Sequence, residues 1–221
     1  MQQLVQDIAN LPQRSHTCAF YETPEERLQL LAAYYRAGLK RKELCVFVTN
    51  QAPTELIADL KRHNLDIQDA VDHDNFQIHA TQPTYWPSGR FEGAAMLSNL
   101  RLFVKQAKDY HSGVRGGGDM EWLAEPVPNK ETVTDYEAKI NRFIRTSSFT
   151  GMCFFPKKLL DHKLTAGIIQ THQTMIRNGG LLANPHYVPP EQSFKFDLIT
   201  VAKIEGWLDR LDEQEASLAP T

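Results

Sequence analysis

Apolar and polar positions follow two periods along this chain. Short continuous apolar runs stand at Thr17–Tyr21, Leu44–Val48 and Gly151–Phe155, the mark of strands covered on both faces in a parallel sheet. Phe76–Ala80 alternates and predicts a more exposed strand. Gly113–Leu123 predicts a weak strand running into a glycine-rich turn at Gly116-Gly117-Gly118. Between these runs the period becomes helical. Leu28, Leu31, Ala32, Tyr35 and Leu39 form one stripe, started by Thr23-Pro24-Glu25-Glu26. That tetrapeptide combines an N-cap hydroxyl, a proline at the first helical position and a glutamate at the capping-box position. Gly38-Leu39 predicts a Schellman stop.

Further helices are predicted from about Pro53 to Asn64, within Phe91–Tyr110, near 131–146 and over most of Lys157–Asn178. Residues 1–14 read as a loose leader or a short helix, and Gly179–Pro190 as ordered coil or a short strand. Val201, Ile204, Leu208 and Leu211 have coiled-coil spacing over about two heptads. Strands alternating with helices predict an α/β fold: three layers, a mostly parallel sheet with helices on both faces, and a C-terminal helix.

Composition narrows the function classes. The chain has 221 residues, 24 Lys and Arg against 27 Asp and Glu, and a net charge of −3, so no global basic field points to direct nucleic-acid binding. Mean hydropathy is −0.42, and no apolar run approaches the roughly 18 residues that span a bilayer. The opening MQQLVQDIAN lacks the basic and apolar regions of a secretory signal, which leads to the expectation of a cytoplasmic protein without membrane contact. Three cysteines without close spacing fit reduced interior thiols rather than a disulfide framework.

The candidate chemistry is sparse. Nucleotide-binding α/β folds put a phosphate cradle at the first strand-to-helix junction. Here that junction reads Tyr21-Glu22-Thr23-Pro24-Glu25-Glu26, without glycine or lysine and with three carboxylates, which excludes a working P-loop. Gly116-Gly117-Gly118-Asp119, beside Arg115, Met120 and Trp122, combines a flexible turn with a cation and a large aromatic, as a small-ligand pocket would. The stripe Leu164, Ile168, His172, Ile176 puts a histidine on an apolar helix face, and Val133, Glu137, Ile140, Ile144 does the same for a carboxylate. Such a carboxylate needs a partner, Arg115 or a histidine, or it takes up a proton. The plain reading of this pair is a structural contact tying helix to sheet, and it is preferred to catalysis.

His16 and Cys18 point to the same side of a strand. A metal or thiol site with Cys45 and Cys153 can be drawn, but the spacing fits no close-packed zinc motif. No metal is expected. The other six histidines stand in polar contexts. No nucleophile elbow, His-Glu-x-x-His helix or Cys-x-x-Cys is present.

Several ordered motifs carry a family resemblance. They are His16-Thr17-Cys18-Ala19-Phe20-Tyr21-Glu22, Tyr34-Tyr35-Arg36-Ala37-Gly38-Leu39, Gly89-Arg90-Phe91, Arg115 through Trp122, Tyr136-Glu137 through Asn141, Cys153, and His172 through Gly180-Leu181-Leu182 to Asn184, Pro185 and Tyr187. Together they resemble the MEDS domain, a sensory domain of methanogens, methylotrophs and DcmR-type regulators. The resemblance implies a degenerate RecA/KaiC-like fold without a Walker A loop, sensing of a small molecule such as a hydrocarbon derivative, and coupling to a histidine kinase or a transcription regulator. It implies a leader at 1–14, the sensory domain at 15–190 and a linker or dimerisation helix at 191–221, with no recognisable output domain in that last stretch.

The expected function is therefore a non-enzymatic, ligand-binding signal sensor with no cofactor beyond an unknown small organic molecule. Its expected site is His16, Cys18, Tyr21, Arg115, Asp119, Trp122, Glu137 and His172. Tyr21 and Trp122 would supply apolar contact, Arg115 and Asp119 would orient polar atoms, and Glu137 and His172 would set the protonation state. The C-terminal helix would carry the signal, by pairing in a homodimer. Two alternatives stay open: a divergent nucleotide- and metal-dependent hydrolase using Asp119 and Glu121, and a partner-binding module with a vestigial pocket.

Overall fold

The structure, a computed structural model, describes residues 2–124, 130–192 and 197–218. Within them one seven-stranded sheet has the order β3-β2-β4-β5-β1-β6-β7. The strands are β1 (His16–Tyr21), β2 (Leu44–Thr49), β3 (Phe76–Ala80), β4 (Val114–Asp119), β5 (Phe149–Pro156), β6 (Thr174–Arg177) and β7 (Gly180–Ala183). Neighbours run parallel throughout, except for β6 against β7. β1, β2, β4 and β5 are buried along their whole length, as the unbroken apolar runs of β1, β2 and β5 predict.

The helices divide between the two faces. α1 (Gln2–Ala9), α2 (Pro24–Lys40), α3 (Pro53–Arg62) and α4 (Gln68–Asp72) lie on one side. They pack on Ala19, Tyr21, Cys45, Phe47, Met152 and Phe154. α5 (Thr81–Tyr85), α6 (Gly93–Ala107), α7 (Lys130–Arg145), α8 (His162–Thr171) and α9 (Leu198–Leu218) cover the other. There the sheet offers Cys18, Phe20, Val46, Val48, Phe149 and Cys153. Successive strand residues belong to opposite cores because the side-chain period of a strand is two.

Local signals explain the helix starts. Thr23 caps α2 by accepting from the Glu26 amide, and the Glu26 carboxylate accepts from the Glu22 amide. Asp161 caps α8 in the same way through the Leu164 amide. Residues 1–14, for which leader and helix were both open, contain α1, whose Leu4 and Ile8 are buried against its neighbours.

The structure corrects four local expectations. Gly116, Gly117 and Gly118 are not a turn: they lie inside β4, paired with β2 and β5. A Cβ on Gly116 would sit 2.0 Å from Cζ of Phe149, so the glycine gives up volume to a neighbouring ring rather than adopting a special backbone angle. Gly38 does not stop α2 either. The helix runs on to Lys40 and the chain reverses at Lys42, with φ 57°; Gly38 is there because a Cβ would come within 2.6 Å of Cδ of Arg115.

The helix expected over Lys157–Asn178 ends at Thr171. His172 is extended, and Thr174–Ile176 then pair with Thr17–Ala19. The exposed edge of β1 takes up this β-branched segment as a strand, and Asn178-Gly179, both at positive φ, turn it into the β7 hairpin. The stripe of α9 is not free for a second subunit. Ile204 and Leu208 are buried in the core on the α8 side, and Val201 and Leu211 pack against that same core.

Overpacking β4 tests the role of Gly116. Gly116→Ala should lower stability by about 1–3 kcal/mol, read as an earlier urea midpoint. Gly180→Ala, whose Cβ meets nothing closer than 3.8 Å, should stay within about 0.5 kcal/mol of the parent.

Candidate functional site

The eight expected site residues fall on the two faces of the sheet. Tyr21, Arg115 and Asp119 face α2, whereas His16, Cys18, Trp122, Glu137 and His172 belong to the opposite core. The alternation of β1 and β4 makes this split unavoidable.

On the α2 face the charges are matched internally. Arg27, from the first turns of α2, donates from Nε (3.0 Å) and Nη2 (2.5 Å) to Oδ2 of Asp119 at the carboxyl end of β4. Thr49 at the end of β2 donates to the same oxygen at 3.2 Å. The Tyr21 hydroxyl lies 3.2 Å from Glu121 Oε1 and 3.5 Å from Asp119 Oδ1. Burial raises the Asp119 carboxyl above its ordinary range and Arg27 acts against that shift; burial, helped by the nearby acids, also pushes the Tyr21 phenol up. Arg115 forms a second pair, donating from Nε to Glu43 at 2.5 Å and lying 4.7 Å over the Tyr34 ring. Arg115 is therefore not the partner of Glu137.

On the other face four polar side chains converge inside an apolar core. His16 starts β1, Cys153 lies in β5, Glu137 projects from α7 and His172 occupies the junction between α8 and β6. Glu137 Oε2 is 3.5 Å from His16 Nε2, 3.8 Å from His172 Nε2 and 3.9 Å from Cys153 Sγ. Cys153 Sγ is 3.6 Å from His16 Nε2, and the two imidazoles overlap at 3.9 Å between centroids. None of the four is more than 8% exposed.

The outer contacts fix both tautomers. Asn141, one turn after Glu137 on α7, donates its amide to the Thr171 carbonyl, so its Oδ1 accepts from His16 Nδ1 at 3.0 Å. His172 Nδ1 donates to the Ile168 carbonyl at 2.8 Å. Each ring thus carries its proton on Nδ1 and presents an Nε2 lone pair to the same point. His172 Nε2 and Glu137 Oε1 have no hydrogen-bond partner among the described residues, and each such atom costs about 1–3 kcal/mol.

Burial keeps the group neutral. It lowers His16 to about 4 and His172 below the ordinary imidazole range, the latter helped by the neighbouring ring. It raises Glu137 to about 8 and pushes the Cys153 thiol up. A protonated thiol in this setting is no nucleophile.

A cavity of about 30 Å³ adjoins two of the four residues, His16 and Cys153, with Gly116, Gly118, Tyr136 and Ile140 also in its wall. Beyond Tyr85 stands an aromatic cage in which Trp122 stacks on Phe91 at 5.0 Å and on Tyr85 at 5.1 Å. Trp122 Nε1 has no partner among the described residues. Cys18, by contrast, contacts the Thr174 carbonyl, and Cys45 lies in the other core.

The family model of the MEDS domain (MEthanogen/methylotroph, DcmR Sensory domain) matches residues 15–173. This chain belongs to the MEDS family. It is 24% identical over 160 residues to the transcriptional repressor DcmR of Methylorubrum extorquens. The match takes in 72% of this chain but 58% of the length of that repressor. The matched span of the MEDS domain contains the whole polar cluster, from His16 to His172.

Single-residue patterns did not reveal Arg27 or Thr49, and the site drawn from His16, Cys18, Cys45 and Cys153 did not include Glu137 and His172, which the structure puts beside His16 and Cys153. One usable signal was the four-residue step from Glu137 to Asn141, which puts both on one side of a helix. The register His16↔Gly151, visible only in the folded sheet, lets the His16 ring lie beside a residue without a side chain and reach Cys153.

The α2-face pair should behave as a buried ion pair. Arg27→Met is expected to cost about 3–5 kcal/mol by leaving the Asp119 carboxylate unpaired. The double variant Arg27→Met with Asp119→Leu should recover much of that loss, as measured by urea unfolding of the two proteins.

Proposed function

We propose that this MEDS domain is a non-catalytic signal sensor that admits a very small organic molecule between the β4–β5 face of the sheet and helices α6 and α7. The observation that carries the reading is the apolar cavity of about 30 Å³, which reaches His16 and Cys153. A water needs roughly 10–15 Å³ by the same measure, so the space suits molecules of one to three heavy atoms. The sensory character of the family and the regulatory name of its relative support the same role. Ligand contacts would then come from His16, Cys153 and the Tyr85–Trp122 cage rather than from Arg115 and Asp119, whose charges are met within the fold.

The alternative of a nucleotide- and metal-dependent hydrolase finds less support, because the Arg27 guanidinium already neutralises Asp119 through Oδ2. The signal would pass through α8 to α9, which pack on one another, and on to an output such as a histidine kinase or a transcription regulator.

A panel of one- to three-carbon alcohols, thiols, amines and haloalkanes tests this. At least one should raise the melting temperature and shift the methyl resonance of Met96 in the cavity wall. Leu100→Trp, which fills the cavity, should abolish both responses. A panel without any response in the folded parent would overturn the reading.

A further inference from the structure

We propose that His16, Glu137, Cys153 and His172 bind one divalent transition-metal ion of the zinc or iron(II) class. The inference goes beyond ligand sensing and does not depend on it. The donor set comprises two imidazole nitrogens, one sulfur and one carboxylate oxygen, and these atoms all lie within 4.8 Å of one another. Zinc holds nitrogen and oxygen at about 2.0–2.2 Å and sulfur at about 2.3 Å, so the edges of a tetrahedral site measure roughly 3.3–3.7 Å. Four of the six donor separations, 3.5, 3.6, 3.8 and 3.9 Å, need a contraction of only a few tenths of an ångström, and the other two lie within 4.8 Å.

The orientation of the donors is a second, independent observation. Both imidazoles are held by their Nδ1–H groups, to Asn141 Oδ1 and to the Ile168 carbonyl, the arrangement by which outer contacts aim a metal-binding histidine. Their Nε2 lone pairs then face the carboxylate and the thiol, and His172 Nε2 and Glu137 Oε1 are buried without a partner among the described residues. A hydrogen-bonded structural network would satisfy those atoms. Sulfur together with imidazole selects zinc, iron or copper over magnesium and calcium. On binding, Cys153 and Glu137 each release the proton they carry and the cation takes their place. The cavity in contact with His16 and Cys153 would offer an additional coordination position to a small molecule.

The full chain, stripped with a chelator and dialysed, should take up about one equivalent of Zn²⁺, as counted by elemental analysis. Loaded with Co²⁺ alone, it should show d–d bands and a thiolate-to-metal charge-transfer band. Cys153→Ser should lose the charge-transfer band, and His172→Gln should weaken Zn²⁺ binding at least about tenfold. Asn141→Ala, which releases His16, should weaken it about 10–100-fold. Cys45→Ser, in the opposite core, should bind like the parent. A folded parent that takes up neither ion, or a charge-transfer band that survives in Cys153→Ser, would overturn the proposal. Should Cys153→Ser fail to fold, the parent spectrum and the His172→Gln affinity still decide it. Metal content is read without any organic ligand, so failure of the small-molecule panel leaves this result separate.

Discussion

β4 crosses the middle of the sheet with only hydrogen as side chain at Gly116, Gly117 and Gly118, so whatever fills its two faces must come from other elements. On one face the Phe149 ring and the Tyr85 hydroxyl close over Gly116 and Gly118; on the other the Tyr35 hydroxyl comes up to Gly117. These approaches pull α5 and α2 toward the sheet from opposite sides. The filling is incomplete on the α6–α7 side, which is where the cavity lies. The residues that bracket the glycines, Arg115 and Asp119, both turn to the α2 face, where Glu43 and Arg27 neutralise them. The same strand therefore sets the location of the cavity and of both buried ion pairs.

The two faces treat polarity differently. Toward α2 a formal cation meets a formal anion at hydrogen-bond distance in each pair, and Thr49 adds a further donor to Asp119. Removal of one partner would strand a buried charge. In the cluster beneath α7 no Lys or Arg takes part among the described residues: two neutral imidazoles surround a carboxyl group and a thiol that burial keeps protonated. In the first arrangement each charge already has its counter-charge, although Arg115 Nη1 and Nη2 have no hydrogen-bond partner among the described residues. The second leaves lone pairs and oxygen atoms directed at a common centre.

Much of this fold was legible because local pattern and tertiary environment agree. The apolar runs at Leu44–Val48 and Gly151–Phe155, the capped start at Thr23 and the stripes of α6 and α7 appear where the sequence puts them. Disagreement arose where a residue type has two physical uses. Three glycines suit a turn as well as a crowded strand, and only the ring of Phe149 decides between them. The segment after Thr171 keeps a helical period through Ile176, but the open edge of β1 gains more from a paired strand, and Asn178-Gly179 permits the hairpin. The site was legible by half. Glu137 and His172 drew notice as polar groups on apolar faces and His16 as a neighbour of Cys18 on one strand, yet the meeting of the three with Cys153 depends on strand order, which puts β5 beside β1. Residue spacing carries no such information across 137 positions of chain.

The energetic consequence of the polar cluster bears on why it exists. Four apolar side chains of similar volume in this core would avoid the desolvation of four polar groups, and buried ionic or polar clusters are often less stabilising than such replacements. Here the disadvantage is enlarged by two atoms without partners. A fold that only needed to tie α7 to the sheet would do better with leucine and valine at these positions. The same disadvantage makes the cluster responsive. Any species that engages the Nε2 lone pairs and the carboxyl oxygens in the native state alone recovers the lost interactions, and stabilises the domain in proportion to its occupancy. His172 stands where α8 gives way to β6, and α8 in turn supports α9. Occupancy at the cluster would thus add stability at a junction that links the buried group to the last helix.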